Sequence, residues 1–377
     1  MSDAETVPRE GFQENTKMPR TIYYIDFDRE KRNTAGAKAP DDIAEICRRA
    51  GYTKYTVPAY PKDKNKIYRK LWLLFGCTRW WRKLGRLLQD GDIVIYQHPL
   101  YGHRVTGRMV EKIHKKTRCS FFVFIHDLES LRGGVAGVVS ANAATSQYSD
   151  NDMLMKFDAV ICHNKRMHAY LVSRGYEENK LIDLEIFDYL TDAELKKQEK
   201  GDAPSIAIAG NLAIGKCPYI YSMFDAGHNA GLTVNLYGIG FQEDKASSNM
   251  IYHGSFKPEE LPGHLKGDFG LVWDGTSAET CAGNTGEYLR YNNPHKTSLY
   301  LASGMPVVCW SQAAIADFVL ENGVGITVDS LYQLEERIKN VTAEEYKQLA
   351  DNAAKMAEKL RSGFYTLQAI ERSAEKD

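Results

Sequence analysis

The chain has no run approaching the roughly 20 apolar residues that span a bilayer. Its longest apolar knot, Leu71 to Phe75, is flanked by basic residues. No C-x-x-C occurs, and the seven cysteines (Cys47, Cys77, Cys119, Cys162, Cys217, Cys281, Cys309) are odd in number and scattered. That pattern excludes a disulfide framework and a spaced zinc site, and it predicts a reduced, cytoplasmic protein. The polar opening MSDAETVPREGFQENTK lacks the hydrophobic segment of a secretory signal. No G-x-G-x-x-G follows the first predicted strand in TIYYIDFDREKRNTAG, which disfavours a nicotinamide-dependent enzyme. Net charge is nearly absent: 48 Lys and Arg meet 49 Asp and Glu, giving −1. The average therefore points to no nucleic-acid partner, although an average can hide a patch.

What is present is globular. The 377 residues are 43 % hydrophobic and 26 % charged, enough for two domains with real cores. Residues 1–20 read as a disordered leader. TIYYIDF, DIVIYQH, SFFVFIH and FDAVICH are short apolar runs separated by helical patterns, which implies parallel strands buried on both faces. A loop with Asn33, Thr34 and Gly36 follows the first strand, and a helix from about Asp41 to Ala50 follows that loop. A flexible stretch, RGGVAGVVSANAATS, interrupts the pattern after the third helix. Composition shifts from about Glu185 to Ala203, placing a first domain at 21–190 and a linker at 191–204. The alternation restarts with SIAIAGN, TVNLYG, MIYHGSF, FGLVWD, PVVCW and GITVD, and a long charged helix ends a second domain at 205–377. Two doubly wound α/β halves bind ligands at the carboxyl ends of their strands, so the crevice between them is the expected site.

Several segments carry chemistry. GNLAIGKC at 210–217 matches G-x-x-x-x-G-K after a strand, but Cys217 stands where a Walker loop needs Ser or Thr for magnesium. What survives is a glycine-lined backbone near Asn211 with Lys216 as a cation. YGIG at 237–240 is a weaker glycine signal. In NNPHKTSLYLASGMPVV, Asn293 is a candidate helix cap and Pro294 suits a first turn, with Lys296 close by. Such a helix start attracts a diphosphate; it also reads as a plain capped helix with a solvated lysine. FIHDLESL puts His126 and Asp127 at a strand's carboxyl end, as a general base or as a cap and a packed ring. FGLVWDGTSAETC puts Trp273, Asp274 and Glu279 at another, suited to a sugar ring or to an ordinary turn.

Residues 62–86 break the charge balance. Nine Lys and Arg stand against Asp63 alone, a local +8, interleaved with Trp72, Trp80, Trp81, Leu71, Leu73, Leu74 and Phe75. A basic aromatic segment is an interfacial element for anionic lipid, or else a solvated helix with a buried stripe. No recognised nucleic-acid motif accompanies it.

The landmarks GDIVIYQHP, FIHDLESL, FDAVICHNKRMHAYLVSRGY, IAGN, YHGSFKPEEL, GDFGLVWDG and NNPHKTSLYLASGMPVV resemble bacterial GT-B glycosyltransferases of the β-1,6-galactofuranosyltransferase type, which act in surface-polysaccharide assembly. Glucosyltransferases that extend GlcNAc on serine-rich adhesins look like more distant kin. The resemblance spans about residues 21 to 340, and ETCAGNTGEYLRYNNPHK leans toward the galactofuranosyl members. It implies two Rossmann-like domains facing a crevice, a UDP-sugar donor, a glycan or lipid-linked glycan acceptor and no essential metal or other cofactor. By matched position, Asn211 and Lys216 would lie near the diphosphate and Tyr237 near the nucleotide. Asn293, His295, Lys296 and Ser298 would form the anion-binding helix start, and Thr34 and Gly36 would close over the donor. The adhesin-type members usually have Arg where this chain has Lys216, and a lysine lacks the bidentate guanidinium contact. The expectations are an inverting transfer with Asp127 or His126 as base, sugar contacts from Trp273, Asp274 and Glu279, and a homo-oligomer or a peripheral membrane location. The competing readings are the adhesin-type glucosyltransferase and a non-catalytic partner subunit that keeps the shell.

Overall fold

IVIYQH and SFFVFI are buried at every position, as central strands must be when helices cover both faces of a parallel sheet. The computed structural model describes residues 20–27, 35–133 and 150–376. The first half runs β1 (Ile22–Phe27), α1 (Ala35–Arg49), β2 (Thr53–Val57), α2 (Lys66–Leu87), β3 (Ile93–His98), α3 (His103–His114), β4 (Ser120–Ile125), α4 (Glu129–Arg132), α5 (Asp150–Leu154), β5 (Ala159–Cys162), α6 (Lys165–Ser173) and β6 (Leu181–Asp183). The second runs β7 (Ser205–Asn211), α7 (Pro218–Ser222), β8 (Thr233–Ile239), β9 (Met250–Tyr252), β10 (Phe269–Val272), α8 (Gly283–Tyr288), α9 (His295–Ala302), β11 (Val307–Trp310), α10 (Ile315–Glu321), β12 (Gly325–Val328), α11 (Leu334–Lys339), α12 (Ala343–Ser362) and α13 (Phe364–Glu375).

Each half is one six-stranded sheet, ordered β2-β1-β3-β4-β5-β6 and β12-β11-β10-β7-β8-β9, with every pairing parallel. Alternation along the strands sorts the first core into two layers. Val94, Tyr96, Phe121 and Val123 pack with Trp80, Trp81 and Leu84 of α2 and with Val110 of α3. Ile93, Ile95, Phe122 and Phe124 face the other way, into a core that continues through Phe187 into the second half.

Several boundaries differ from expectation. Helix α1 begins at Ala35, so Gly36 lies in its first turn and not in a loop, and Pro40 sits inside it. Thr34, the leader to residue 19 and the Gly/Ala/Ser-rich stretch at 134–149 lie outside the described residues. Just ahead of the 191–204 linker, the chain leaving β6 is packed: Ile186, Phe187, Asp188, Tyr189 and Leu190 are all buried. The terminal helix is two helices, because Gly363 adopts φ 83° and breaks it. A left-handed glycine is the usual stop for a helix, since it has no Cβ to clash. The break turns α13 back onto α1, β5 and β6 of the first half. There Asp188 accepts from the amides of Tyr365 at 3.2 Å and Thr366 at 2.7 Å, capping α13 from the connecting segment.

Candidate active site

The carboxyl ends of the two sheets meet. After β5, Asn164 caps α6 by accepting from the amides of Arg166 and Met167. Its amide nitrogen donates to Asn293 Oδ1 at 2.7 Å in the other half. Arg166 forms a two-pronged pair with Asp317 at 3.1 and 3.0 Å. After β4, the Leu128 amide donates to the Tyr288 hydroxyl of α8 at 2.9 Å. These contacts bring the loops after β4 and β5 against those around α8 and α9.

On the second-half wall, β7 and β8 each carry a glycine next to last, Gly210 and Gly238, side by side in the sheet. A Cβ on Gly238, whose φ is 140°, would lie 1.7 Å from the Gly210 carbonyl oxygen. The Lys296 side chain crosses Gly210, its Cε 3.8 Å from where a Cβ would stand there, and its ammonium donates to the Trp273 carbonyl at 3.2 Å. Lys216 reaches Asp274 Oδ1 at 3.1 Å. Burial alone would raise the Asp274 pKa, but Lys296 and Lys216 together outweigh it and hold the carboxyl below its ordinary value. Lys216 thus pairs with the carboxylate at the end of β10 while the Lys296 charge acts on it from the Trp273 carbonyl, leaving an excess positive charge beside the start of α9, where helix amides add to it. Thr297 and Ser298, in the first turn of α9, are buried with hydroxyls that have no partner among the described residues.

On the facing wall, Asp127 pairs with Arg132 at 3.0 Å, with its side chain 39 % exposed. Burial raises its pKa; the Arg132 guanidinium lowers it, Glu129 raises it and the Tyr288 hydroxyl lowers it, and the net direction is upward. His126 bonds Gln97 Oε1 through Nε2 at 2.7 Å and stacks on Phe187 at 5.6 Å between ring centres. His295 stacks on the same ring at 4.8 Å. Phe187 therefore joins the histidine of the first wall to that of the second. Burial pushes the His295 pKa down to about 3, and neither ring nitrogen has a partner among the described residues.

Three expected contact residues serve other purposes. Tyr237 is buried, its hydroxyl donating to the His264 carbonyl and accepting from the Lys266 amide, so it offers a nucleotide no surface. Trp273 is 1 % exposed with Nε1 on the Ser277 carbonyl, so its ring is core and not a sugar platform. Pro294, not Asn293, occupies the cap position of α9. Asn293 is buried, its amide donating to the His163 and Glu185 carbonyls. Glu279 is exposed. Asn211 is exposed and accepts from the Ala213 amide.

Arg132, Tyr288, His163 and Phe187 carry no motif. The one clue was the apolar character of EIFDYL, just ahead of the stretch read as linker. Another grouping also escaped the sequence. Among the described residues, Cys162, His168 and Asp183 bring ligand-type atoms within 4.8 Å of one another at the ends of β5 and β6. His168 Nδ1 lies 2.9 Å from Asp183 Oδ1, and burial raises the Cys162 thiol well above its usual pKa, so these groups already satisfy one another.

Comparison with known proteins agrees with this architecture. Residues 22–186 match the N-terminal domain model, and residues 206–373 the C-terminal domain model, of the glucosyltransferase 3-like family. The chain is 35 % identical over 360 residues to the β-1,6-galactofuranosyltransferase WbbI of Escherichia coli K12, covering 93 % of this chain and 97 % of the relative. It is 25 % identical over 336 residues to glucosyltransferase 3 of Streptococcus gordonii, covering 88 % and 92 %. Among solved structures, an E. coli trehalose-6-phosphate protein bound with UDP-2-fluoro glucose aligns with TM-score 0.60 at 11 % identity, over 94 % of this chain and 99 % of that one. Anabaena HepE in complex with UDP and glucose aligns with TM-score 0.55 at 12 % identity, over 95 % and 99 %. At such identities the likeness is one of fold, and the fold is GT-B.

Proposed function

This chain belongs to the glucosyltransferase 3-like family and is a glycosyltransferase; we propose that it moves galactofuranose from a UDP-sugar to a glycan hydroxyl in surface-polysaccharide assembly, with inversion and without an essential metal. The observation that carries the donor reading is the convergence of Lys216 and Lys296 on Asp274 beside α9, a preformed cationic seat for a diphosphate. The choice of galactofuranose rests on the 35 % identity to a named galactofuranosyltransferase over nearly the whole of both chains.

In the proposed step, Asp127 takes the proton of the acceptor hydroxyl and that oxygen attacks the anomeric carbon. The bond from that carbon to the diphosphate oxygen breaks, and UDP leaves with the electron pair. The negative charge gathering on the leaving oxygen is met by Lys216, Lys296 and the first amides of α9, groups already oriented before reaction. The upward pKa of Asp127 suits a base, since a more basic carboxylate is a better proton acceptor.

The test is a donor screen. Purified protein is incubated with UDP-galactofuranose, UDP-galactopyranose or UDP-glucose and short glycan acceptors, and products are read by mass and linkage analysis. Transfer from UDP-galactofuranose alone is the expected result. Transfer from UDP-glucose to a GlcNAc-bearing acceptor would favour the second reading, the adhesin-type glucosyltransferase, which the 25 % relative supports.

A further inference from the structure

The fully buried residues of helix α2 all lie in its carboxyl-terminal half: Cys77, Trp80, Trp81 and Leu84. Two of the tryptophans that marked residues 62–86 as interfacial are therefore core. The exposed face is built from other side chains. Ile67 is 74 % exposed, Leu71 52 %, Leu74 50 % and Phe75 65 %, and their spacing puts them on one stripe. Along the same stripe toward the carboxyl end, Leu74, Phe75, Thr78, Arg79, Arg82 and Arg86 line an open groove. Seven Lys and Arg and no Asp or Glu occur between Lys66 and Leu87.

Four large apolar side chains bare to water in one stripe mark an interaction surface, and the charge selects the partner. A second copy would set one such cationic face against another, which is unfavourable. An anionic bilayer takes up both features at once, apolar side chains at the acyl boundary and guanidinium groups on lipid phosphates. Position agrees as well. Trp72 packs edge-on against Tyr101 at 4.9 Å and Tyr60 at 5.8 Å, residues that follow β3 and β2. The bare turns of α2 thus lie at the carboxyl ends of the first sheet, the end that faces the crevice. No described helix is long and apolar enough to cross a membrane, so the contact is with its surface.

We infer that residues 67–86 of α2 form a docking surface for an anionic lipid bilayer. Docking there sets the crevice close to the lipid surface, within reach of an acceptor carried on lipid. The inference is independent of the donor sugar, because its test contains none.

The full chain is mixed with phosphatidylcholine vesicles, with or without phosphatidylglycerol, and bound protein is measured by flotation at low and high salt. Binding is expected only to the anionic vesicles, and it weakens at high salt. The variant Arg79→Gln/Arg82→Gln/Arg86→Gln should bind roughly 100-fold more weakly, and Leu74→Ser/Phe75→Ser by about the same factor. All five of these side chains are exposed, and unchanged thermal melting with unchanged turnover on a water-soluble acceptor establishes that both variants are folded. Absence of binding to anionic vesicles, or binding that neither variant weakens, overturns the inference. So does a concentration-dependent dimer in light scattering that Leu74→Ser/Phe75→Ser dissolves, which would assign the face to a second copy.

Discussion

Asn293 of the second half grips His163 of the first from both sides of the peptide: its backbone amide donates to His163 Nδ1 at 2.9 Å and its side-chain amide to the His163 carbonyl at 2.6 Å. Because Nδ1 accepts, the ring proton sits on Nε2, which donates to the Ile125 carbonyl at 3.0 Å. The imidazole is thus neutral, and burial depresses its pKa to about 4. This bond fixes the first wall of the crevice to the second next to the start of α9.

That role makes Asn293→Ala a stability variant. It strands the His163 and Glu185 carbonyls and the Asn164 amide, each of them inside or at the edge of the interface, at a cost of about 2–4 kcal/mol. Chemical denaturation should show the loss, while calorimetry on the folded variant gives UDP affinity near wild type. An unchanged unfolding free energy with lost UDP binding would return Asn293 to the donor site.

The cationic seat predicts opposite effects for neighbouring residues. Lys296→Ala should weaken UDP binding about 10-fold or more, since a charge-assisted contact is worth roughly 1.5–3 kcal/mol. Asp274→Asn frees Lys216 from its counterion and should tighten UDP binding. Isothermal titration reads both; UDP affinity unaltered in Lys296→Ala would sink the diphosphate assignment.

Asp127→Asn should lower turnover by roughly 10²–10⁴-fold with UDP still bound, the usual loss when a general base is removed. The base must be ionised to act, so the acid limb of kcat/KM should be displaced upward from the ordinary aspartate value, the direction in which burial moves Asp127. Arg132→Gln removes the cation that lowers this pKa, and the limb should then move to still higher pH. Near wild-type turnover in Asp127→Asn excludes it as an essential base.

Two buried carboxyls beside the connecting segment set a pH dependence of stability. Burial raises Asp188 to about 7 and, despite the Lys38 ammonium, Asp42 to about 6. Both folded values exceed the unfolded value near 3.9, so the folded state holds these protons where the unfolded chain does not. The stability they contribute is complete below about pH 4 and declines as pH rises through about 6 and 7. Unfolding free energies measured from pH 5 to 8 should fall with pH, and Asp188→Asn should flatten the slope. A slope unaltered in that variant would remove Asp188 as its source.

Much of the site was legible one segment at a time. Lys216, Lys296 and Asp274 each stood at a strand end or helix start, and parallel strands buried on both faces bring such ends to one side of a sheet. Tyr237 and Trp273 were misplaced because a strand's last residues alternate between core and crevice, and local spacing does not give the parity. Arg132 and Tyr288 had no pattern to betray them, since their partner Asp127 is remote from Tyr288 in sequence.

The sequence by itself determined the two parallel α/β halves, through apolar runs of strand length set between helical repeats, and the basic stripe of residues 62–86. Only the tertiary structure decided that residues 186–190 are buried, that α13 returns to the first half and that Trp80 and Trp81 of α2 face inward. Each of these depends on which surface meets which after the halves close, and burial across that boundary joins residues more than a hundred positions apart. The missing apolar run noted at the outset keeps its meaning: Ile67, Leu71, Leu74 and Phe75 share one exposed face of α2, at the mouth of the crevice.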